Sequence, residues 1–335
     1  MQYRRLGRSG VQVSEICLGT MTFGRGADQA ECNRMVEAAI SAGVNFFDTA
    51  DGYNGGAAET MLGKALQGHR RGVVLASKVF NPMGTGPNDS GLSRAHILQA
   101  AEDSLRRLGT DWLDLYYIHH IDEETPLEET LRAMEDLVRQ GKVRYAGCSN
   151  FEAWRLMKAL WIEDRHDWSG LVAYQPQYSL VVRDIEQEIV PACTTEGLGV
   201  AVWSPLAGGF LTGKYKTPAA VPQDSRAAMG WDIPARYFHP RHDAILAELF
   251  ATAAELDRPP AQVALRWVLE RPWVSSAIIG ARGVSQLAES LEASRFTLSV
   301  EALARLDAVS ELPSQYPRLM EMQMAERRRA AVKAS

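Results

Sequence analysis

Three short, mostly apolar runs of this chain each end in a side chain that can carry a charge or a proton: NFFD at residues 45–48, VVLASK at residues 73–78 and LDLYYIH at residues 113–119. Runs without strict polar–apolar alternation are typical of strands buried on both faces of a parallel sheet. The carboxyl ends of parallel strands meet at one edge of the sheet. We therefore expect Asp48, Lys78 and His119 to lie together at that edge, with Tyr53 on the loop after Asp48.

Strand-like runs recur eight times, and amphipathic segments separate them. The predicted strands are residues 15–20, 45–49, 73–79, 112–119, 143–149, 172–176, 199–204 and 275–280. Among the helices, one is predicted to be capped by Ser93, and another to start with a Thr125 capping box and Pro126 at its first position and to end at Gly141. Eight strand–helix units predict an α/β fold, the closed (β/α)8 TIM barrel, rather than an open doubly wound sheet.

The segments outside these units complete the predicted organisation. We expect a single domain of residues 1–335, made of an N-terminal β-hairpin at about 1–14, a barrel at about 15–311 and a C-terminal tail at about 312–335. Two long loops, residues 80–92 and about 207–240, follow the third and seventh strands and so lie on the face where barrel enzymes place active sites. We expect substrate specificity to depend on the tail and on three loops of this face, which are residues 21–25, 80–92 and 229–240.

Composition narrows the functional class. The formal net charge is −5 and the basic residues are scattered, which argues against a nucleic-acid-binding surface. The four cysteines show neither CxxC spacing nor a zinc pattern, so we expect reduced thiols and no metal. No apolar run of about 18 residues occurs, and we expect a cytoplasmic protein without a membrane partner. No GxGxxG motif follows a strand, so a Rossmann dinucleotide site has no support.

The strand-end residues suit one reaction in particular. Hydride transfer to a carbonyl requires a proton donor for the developing alkoxide. A tyrosine, with an ordinary pKa near 10, can serve, and the sequence predicts that Lys78 lowers the pKa of Tyr53 while Asp48 holds Lys78. Taken singly, Tyr53 could be a surface residue, Lys78 and Asp48 a structural ion pair, and His119 a hydrogen bonder at the barrel rim. Their joint placement on adjacent strands favours the hydride-transfer interpretation.

Several longer segments resemble one known family. GVNFFDTADGY at residues 43–53 is similar to the strand-2 signature of the aldo-keto reductases, and DLYYIH at 114–119 and GKVRYAGCSNF at 141–151 resemble later motifs of that family. The resemblance extends from the hairpin to about residue 307. It implies a (β/α)8 barrel that uses NADP(H) to interconvert an aldehyde or ketone with its alcohol. The Gly-Gly pair after Tyr53 and the GGFLTGKY loop resemble the bacterial, fungal and plant branch.

Roles of the four strand-end residues are implied by this resemblance. Tyr53 takes the position of the general acid, Lys78 and Asp48 the positions that tune it, and His119 that of the histidine orienting the carbonyl. At the next position the family more often has Arg or Trp, whereas this chain has His120, on the side expected to face the substrate.

Cofactor contacts are implied in the same way. Ser149, Asn150 and Gln175 match residues that bind the nicotinamide carboxamide, and Trp203 matches the ring that stacks on the nicotinamide, although a tryptophan at a strand end can equally be a core residue. Arg282 matches a contact to the 2′-phosphate, the alternative being a solvated residue that caps its loop. The other implied contacts are Gly19, Thr20, Met21, Asp48, Ser204, Pro205, Leu206, Gly208, Gly209, Leu211, Gly213, Lys214, Gly280, Gln286, Glu289 and Ser290.

Two other functions are compatible with parts of the sequence. A non-catalytic, cofactor-binding regulatory subunit is one, because potassium-channel β subunits share this family fold; the intact Asp48, Tyr53, Lys78 and His119 set argues against it. A metal-dependent barrel hydrolase is the other, with ligands from His119, His120 and Asp122, but further strand-end ligands are lacking. The partner expected is a small carbonyl or alcohol; its identity and the oligomeric state stay open.

Overall fold

Eight parallel strands close into a barrel. The computed structural model describes residues 1–334 except 216, 218–220, 224 and 229. The barrel strands are β3 (Ile16–Gly19), β4 (Phe46–Asp48), β5 (Val74–Val79), β6 (Leu113–Ile118), β7 (Val143–Ser149), β8 (Leu171–Gln175), β9 (Gly199–Trp203) and β10 (Val274–Gly280). They pair in chain order, and β10 pairs with both β9 and β3, which closes the sheet. The predicted (β/α)8 barrel is confirmed, since each predicted strand overlaps a strand of the barrel.

Helices cover the outside of the barrel between the strands. They are α1 (Gln29–Ser41), α2 (Ala57–Ala65), α3 (Arg94–Leu108), α4 (Leu127–Arg139), α5 (Ala153–Arg165), α6 (Ile189–Glu196), α7 (Ile233–Tyr237), α8 (Pro240–Glu255), α9 (Pro260–Leu269), α10 (Val284–Leu291), α11 (Val300–Ser310) and α12 (Arg318–Ala334). The first six each connect two consecutive strands, whereas three helices are found in the described part of the segment between β9 and β10. Their apolar faces form the larger of the two cores, between helices and strands.

The pleat of the strands decides which side chains enter the barrel. Successive residues of a strand point to opposite faces. Phe46 therefore packs in the inner core and Phe47 in the outer one, while Asp48, two residues after Phe46, points inward again. Lys78 reaches Asp48 inside the barrel for the same reason, two residues after Ala76 of the inner core.

A hairpin, β1 (Tyr3–Arg5) and β2 (Gln12–Ser14), is present as predicted. Its Leu6 and Val13 belong to the inner core, so the hairpin closes the amino-terminal end of the barrel. The fit is close at Gly7, which has φ +59°, and a Cβ added there would lie 2.3 Å from the backbone N of Gly199.

Helix starts agree with the sequence in one case and differ in another. Ser93 caps α3, its hydroxyl accepting from the N–H of His96, as predicted. The predicted Thr125 capping box is wrong: Pro126 is the N-cap of α4, without a side-chain cap, and the Thr125 hydroxyl donates to Asp122 instead. Thr125 lies one residue before the N-cap, so its hydroxyl is not placed to accept from an N–H of the first helical turn.

The tail folds as a largely exposed helix, α12. It is anchored at its start, where the Arg318 guanidinium donates to the carbonyls of Glu186 and Gln187. Among the described residues, no helix combines the length and apolarity that a membrane span requires.

Candidate active site

A buried lysine is the centre of the polar cluster at the carboxyl end of the barrel. Lys78 is fully buried, and its Nζ donates to Asp48, to the carbonyl of Thr49 at 2.7 Å and to the hydroxyl of Tyr53 at 3.1 Å. Burial alone lowers a lysine pKa, but Asp48 and Tyr53 outweigh it and raise the pKa of Lys78 above its ordinary value. The ammonium is therefore charged at neutral pH and has three partners for its three protons.

Asp48 is held on both carboxylate oxygens. Oδ1 accepts from Lys78, and Oδ2 accepts from the Gln175 side-chain amide at 2.8 Å. Gln175 lies at the end of β8, across the barrel from β4. The carboxylate is thus fixed by two strands besides its own, as a buried charge requires.

Tyr53 reaches Lys78 because of the turn that carries it. The turn after β4 has Asn54 at φ 52° and Gly55 at φ 61°, conformations that asparagine and glycine tolerate best. The Asn54 amide donates to the carbonyls of Met21 and Phe23, which ties the turn to the loop after β3.

The predicted lowering of the pKa of Tyr53 is wrong in direction. Burial raises the pKa of Tyr53 above its ordinary value of 10, and the positive charge of Lys78 opposes that rise only in part. The sequence showed the cation near the phenol but not how much of the phenol is removed from water. Tyr53 therefore carries its proton at neutral pH.

His119 faces Tyr53 as a neutral imidazole. The two rings are in edge-to-face contact with centroids 5.9 Å apart. Burial, with the positive charge of Lys78, lowers the pKa of His119 to about 2. Its Nδ1 lies 3.2 Å from the Asn81 amide nitrogen, and because that nitrogen can only donate, Nδ1 accepts and the ring proton is assigned to Nε2. His120 stacks on His119 at 4.5 Å.

Four hydrogen-bonded residues line the wall next to Asp48. They are Ser149, Asn150, Gln175 and Trp203, and we call them the amide wall. Asn150, at φ 62°, donates to the carbonyl of His119 at 3.0 Å and to the Ser149 hydroxyl at 2.9 Å, and its amide oxygen accepts from the Trp203 indole. The Ser149 hydroxyl donates to the carbonyl of Gln175 at 2.7 Å. These bonds lock four of the predicted cofactor residues into one rigid surface.

The site opens into a continuous cleft of two parts. The inner cavity, about 330 Å³, is lined by Asp48, Tyr53, His119 and the amide wall. The outer groove, about 260 Å³, runs from Tyr53 to Arg282 on the loop after β10. Tyr53, Ser204, Arg226, Trp231 and Gly280 are among the residues that line both parts.

The outer groove has the charge that a phosphate-bearing molecule requires. Its charged lining residues in the described part of the chain are Arg25, Lys214, Arg226 and Arg282, and none is acidic. Arg226 is half-buried, stacks on Trp231 at 5.3 Å and has no carboxylate partner within the described residues. The groove therefore fits an elongated anion such as the pyrophosphate of a dinucleotide.

Glycines shape the wall of this groove. Gly208 and Gly209 have φ values of 66° and 93°. A Cβ at Gly209 would lie 2.6 Å from Cε of Lys214, so glycine allows the lysine side chain to cross the loop here.

Most of the predicted contacts come together in the cleft. Those that line it are Gly19, Thr20, Met21, Asp48, Ser149, Asn150, Gln175, Trp203, Ser204, Pro205, Leu206, Gly208, Gly209, Lys214, Gly280, Arg282 and Gln286. Leu211, Gly213, Glu289 and Ser290 do not line it; Leu211 is fully buried in the outer core. Of the predicted loop 229–240, residue 229 lies outside the described residues.

Among the cleft residues that sequence reasoning did not single out, three bear on its chemistry. Asn81 orients His119, Trp231 lines both parts and Arg226 supplies a cation at their junction. Asn81 directly follows Phe80 at the start of a loop we expected near the site, and this position was the available signal. Arg226 and Trp231 lie in the long loop after β9, where no periodic pattern distinguishes one residue from another.

The metal interpretation receives no geometric support. Asp122 accepts from the N–H groups of Leu92 and Glu124 and from Thr125, so its carboxylate is engaged in its own turn. Among the described residues, no group of three His, Cys, Asp or Glu side chains is arranged to hold a metal ion.

Comparison with known proteins identifies the family. A model of the aldo/keto reductase family matches residues 15–311. The chain belongs to the aldo/keto reductase family. It is similar to the uncharacterised oxidoreductase YrpG of Bacillus subtilis, with 42% identity covering 94% of this chain and 99% of the relative. The protein is accordingly an oxidoreductase that acts on carbonyl groups, in a family that typically uses a nicotinamide cofactor.

Two further relatives differ in their names. A probable voltage-gated potassium channel subunit beta of Oryza sativa subsp. japonica is 39% identical, covering 92% of this chain and 96% of the relative. The versiconal hemiacetal acetate reductase of Aspergillus parasiticus is 32% identical, covering 92% and 96%.

Proposed function

We propose that the protein catalyses the reversible, NADPH-dependent reduction of an aldehyde or ketone to the alcohol, with Tyr53 as general acid. The observation that carries the proposal is the contact of the Tyr53 hydroxyl with Lys78 Nζ at 3.1 Å, at the floor of a cavity that His119 also faces. When bound, the nicotinamide supplies the hydride. The remaining chemistry belongs to side chains of this chain.

Tyr53 holds the proton that the reaction consumes. Its hydroxyl accepts from Lys78 and is left with its own proton to donate to the carbonyl oxygen. As that oxygen gains charge, Tyr53 transfers the proton, and the Lys78 ammonium stabilises the phenolate left behind. Asp48 keeps Lys78 in place, because the buried ammonium needs a fixed counter-charge.

His119 orients the carbonyl. With Nδ1 bonded to Asn81, its Nε2–H is available to donate to the carbonyl oxygen that Tyr53 protonates. Because the pKa of His119 is about 2, the ring stays neutral and acts as a hydrogen-bond donor rather than as an acid.

The rest of the cleft fits the cofactor. Ser149, Asn150 and Gln175 would offer amide and hydroxyl groups to the carboxamide of the cofactor, and Trp203 would offer its ring to the nicotinamide. Lys214 and Arg226 would hold the pyrophosphate in the outer groove, and Arg282, at its far end, would hold the 2′-phosphate.

The test is NADPH oxidation with a panel of aldehydes and ketones, by the wild-type protein and by Tyr53→Phe. We expect the variant to lose at least about 10²-fold in carbonyl reduction, the scale of a general acid, with its NADPH dissociation constant nearly unchanged. Tyr3→Phe, an exposed tyrosine in the hairpin at the other end of the barrel, is the matched control. Near-full activity of Tyr53→Phe contradicts the assignment of the acid.

A cofactor-binding regulatory subunit is the second candidate, favoured by the potassium channel subunit names among the relatives. NADPH binding without turnover of any carbonyl in the panel supports it. Turnover that depends on Tyr53 contradicts it.

A further inference from the structure

A second buried carboxyl group lies directly beneath the turn that carries Tyr53. Asp51 is fully buried, three residues after Asp48 and two before Tyr53. Its backbone N–H donates to the carbonyl of Lys78 at 3.2 Å, and its Oδ1 accepts from the N–H of Gly52 at 2.5 Å. Asp51 therefore joins the strand end of Lys78 to the start of the Tyr53 turn.

One oxygen of this carboxyl group lacks a hydrogen bond of standard geometry. Oδ2 of Asp51 is buried and makes no such bond within the described residues, although the N–H of Phe80 also favours the ionised carboxylate. The hydroxyl of Tyr116, another buried group near Asp51, is also without one. A buried ionised carboxylate needs hydrogen bonds or a counter-charge on both oxygens, whereas a neutral carboxylic acid loses far less when one oxygen is unpaired.

The nearby counter-charge is already used. Glu59, on α2, is fully buried and accepts from Nε of Arg107 at 2.6 Å and from the Ser77 hydroxyl. The Arg107 guanidinium thus pairs with Glu59 and acts on Asp51 only through space. Like charges in a shared buried site cannot both ionise freely.

We propose that Asp51 is a positioning residue that holds the Tyr53 turn in its reactive place only while it is a neutral carboxylic acid. The inference rests on the proposed function, since Tyr53 is the acid whose place it fixes. When Asp51 ionises, the unpaired Oδ2 and the Glu59 charge favour a displaced turn, and the Tyr53 hydroxyl leaves Lys78. Asp51 is not among the residues that line the cleft and acts through the backbone of Gly52, which lines it.

The ionisation falls in an accessible range of pH. Burial, and next the Glu59 carboxylate, raise the pKa of Asp51 to about 7, while Arg107 and the N–H groups of Gly52 and Phe80 oppose the rise. Asp51 also faces Tyr116 of β6, whose own pKa burial raises well above the ordinary value. Asp103, on α3, adds a further negative charge near Tyr116.

The pH dependence of kcat tests the proposal. With a pKa near 7, the neutral fraction of Asp51, and with it the kcat for reduction, falls about tenfold between pH 6 and pH 8. Asp51→Asn is a permanently neutral isostere, and we expect its kcat to change less than about twofold over the same range. A fall in Asp51→Asn as steep as that of the wild type, or no fall in the wild type, overturns the proposal.

Two further variants make the result specific. Glu59→Gln removes the repelling charge and lowers the pKa of Asp51, so the midpoint of the fall in kcat moves to lower pH. An unmoved midpoint overturns the proposal. This measurement does not require Asp51→Asn to fold. Asp167→Asn is the matched control, an exposed aspartate at φ 53° in the turn after α5, where asparagine is equally tolerated. Its pH profile should match the wild type.

Thermal unfolding supplies a readout that does not depend on turnover. A carboxyl group whose pKa is raised on folding destabilises the folded state as pH rises from its unfolded pKa near 4 to its folded pKa near 7. The Tm of the wild type should therefore fall relative to Asp51→Asn between pH 4 and pH 8. If no carbonyl is reduced, the proposed function fails, and the thermal unfolding comparison then tests the inference about Asp51. A Tm difference between the wild type and Asp51→Asn that is independent of pH overturns the inference.

Discussion

Replacing Lys78 by methionine separates the electrostatic role of the lysine from its role in the fold. The substitution preserves much of the side-chain volume but leaves Asp48 as a buried carboxylate with the Gln175 amide as its remaining side-chain partner. Breaking one partner out of a buried ion pair costs about 3–5 kcal/mol of unfolding free energy. Without the ammonium, the phenolate of Tyr53 also loses its stabilising charge, so carbonyl reduction should fall at least about 10²-fold.

The double variant Lys78→Met with Asp48→Asn distinguishes the two effects. Removing both charges eliminates the unpaired carboxylate, so most of the stability should return, whereas the activity should not. Urea unfolding and single-turnover NADPH oxidation measure the two quantities on the same samples. A single variant as stable and as active as the wild type refutes the reasoning, as does a double variant that regains turnover.

Two other predictions concern the choice of cofactor and the hairpin at the amino-terminal end of the barrel. The wild type should prefer NADPH to NADH, and Arg282→Ala should remove most of that preference by weakening NADPH binding by roughly 10- to 150-fold. Fluorescence titration measures the dissociation constants of the two cofactors, with the surface variant Arg295→Ala as the control. Equal binding of the two cofactors by the wild type contradicts the assignment. Gly7→Ala should lower the free energy of unfolding by about 2–5 kcal/mol, because it adds a clash with Gly199 to the strain of a positive φ. Gly109→Ala, also at positive φ but in open space, should cost only about 1–2 kcal/mol in the same unfolding assay, and equal losses contradict the clash.

The barrel strands and the polar cluster were predictable from sequence for one reason. A continuous apolar run that stops at a charged residue indicates both a buried strand and its carboxyl end, so Asp48, Lys78 and His119 could be placed at one edge before any contact was known. Tyr53 followed because its Gly-rich turn starts at the same edge.

Other features of the site depend on contacts that local sequence does not encode. The bond between Gln175 and Asp48 joins residues 127 positions apart, and Arg226 enters the cleft from a loop without regular pattern. The direction of the pKa shift of Tyr53 depends on how much water the surrounding residues exclude, which no motif shows. The Thr125 hydroxyl was misassigned because the helix begins one residue later than the four-residue motif indicates, and the hydroxyl donates to Asp122.

The division of the cleft between strands and loops affects how the protein can evolve. Asp48, Lys78 and Gln175 lie in strands whose neighbours on both sides fix their register, so an insertion there would turn alternate side chains outward. Asn81 and Trp231 belong to loops, which tolerate changes in length and sequence. New carbonyl substrates can therefore be accommodated by mutation of the loops while the strand residues that hold Lys78 beside Tyr53 are inherited unchanged.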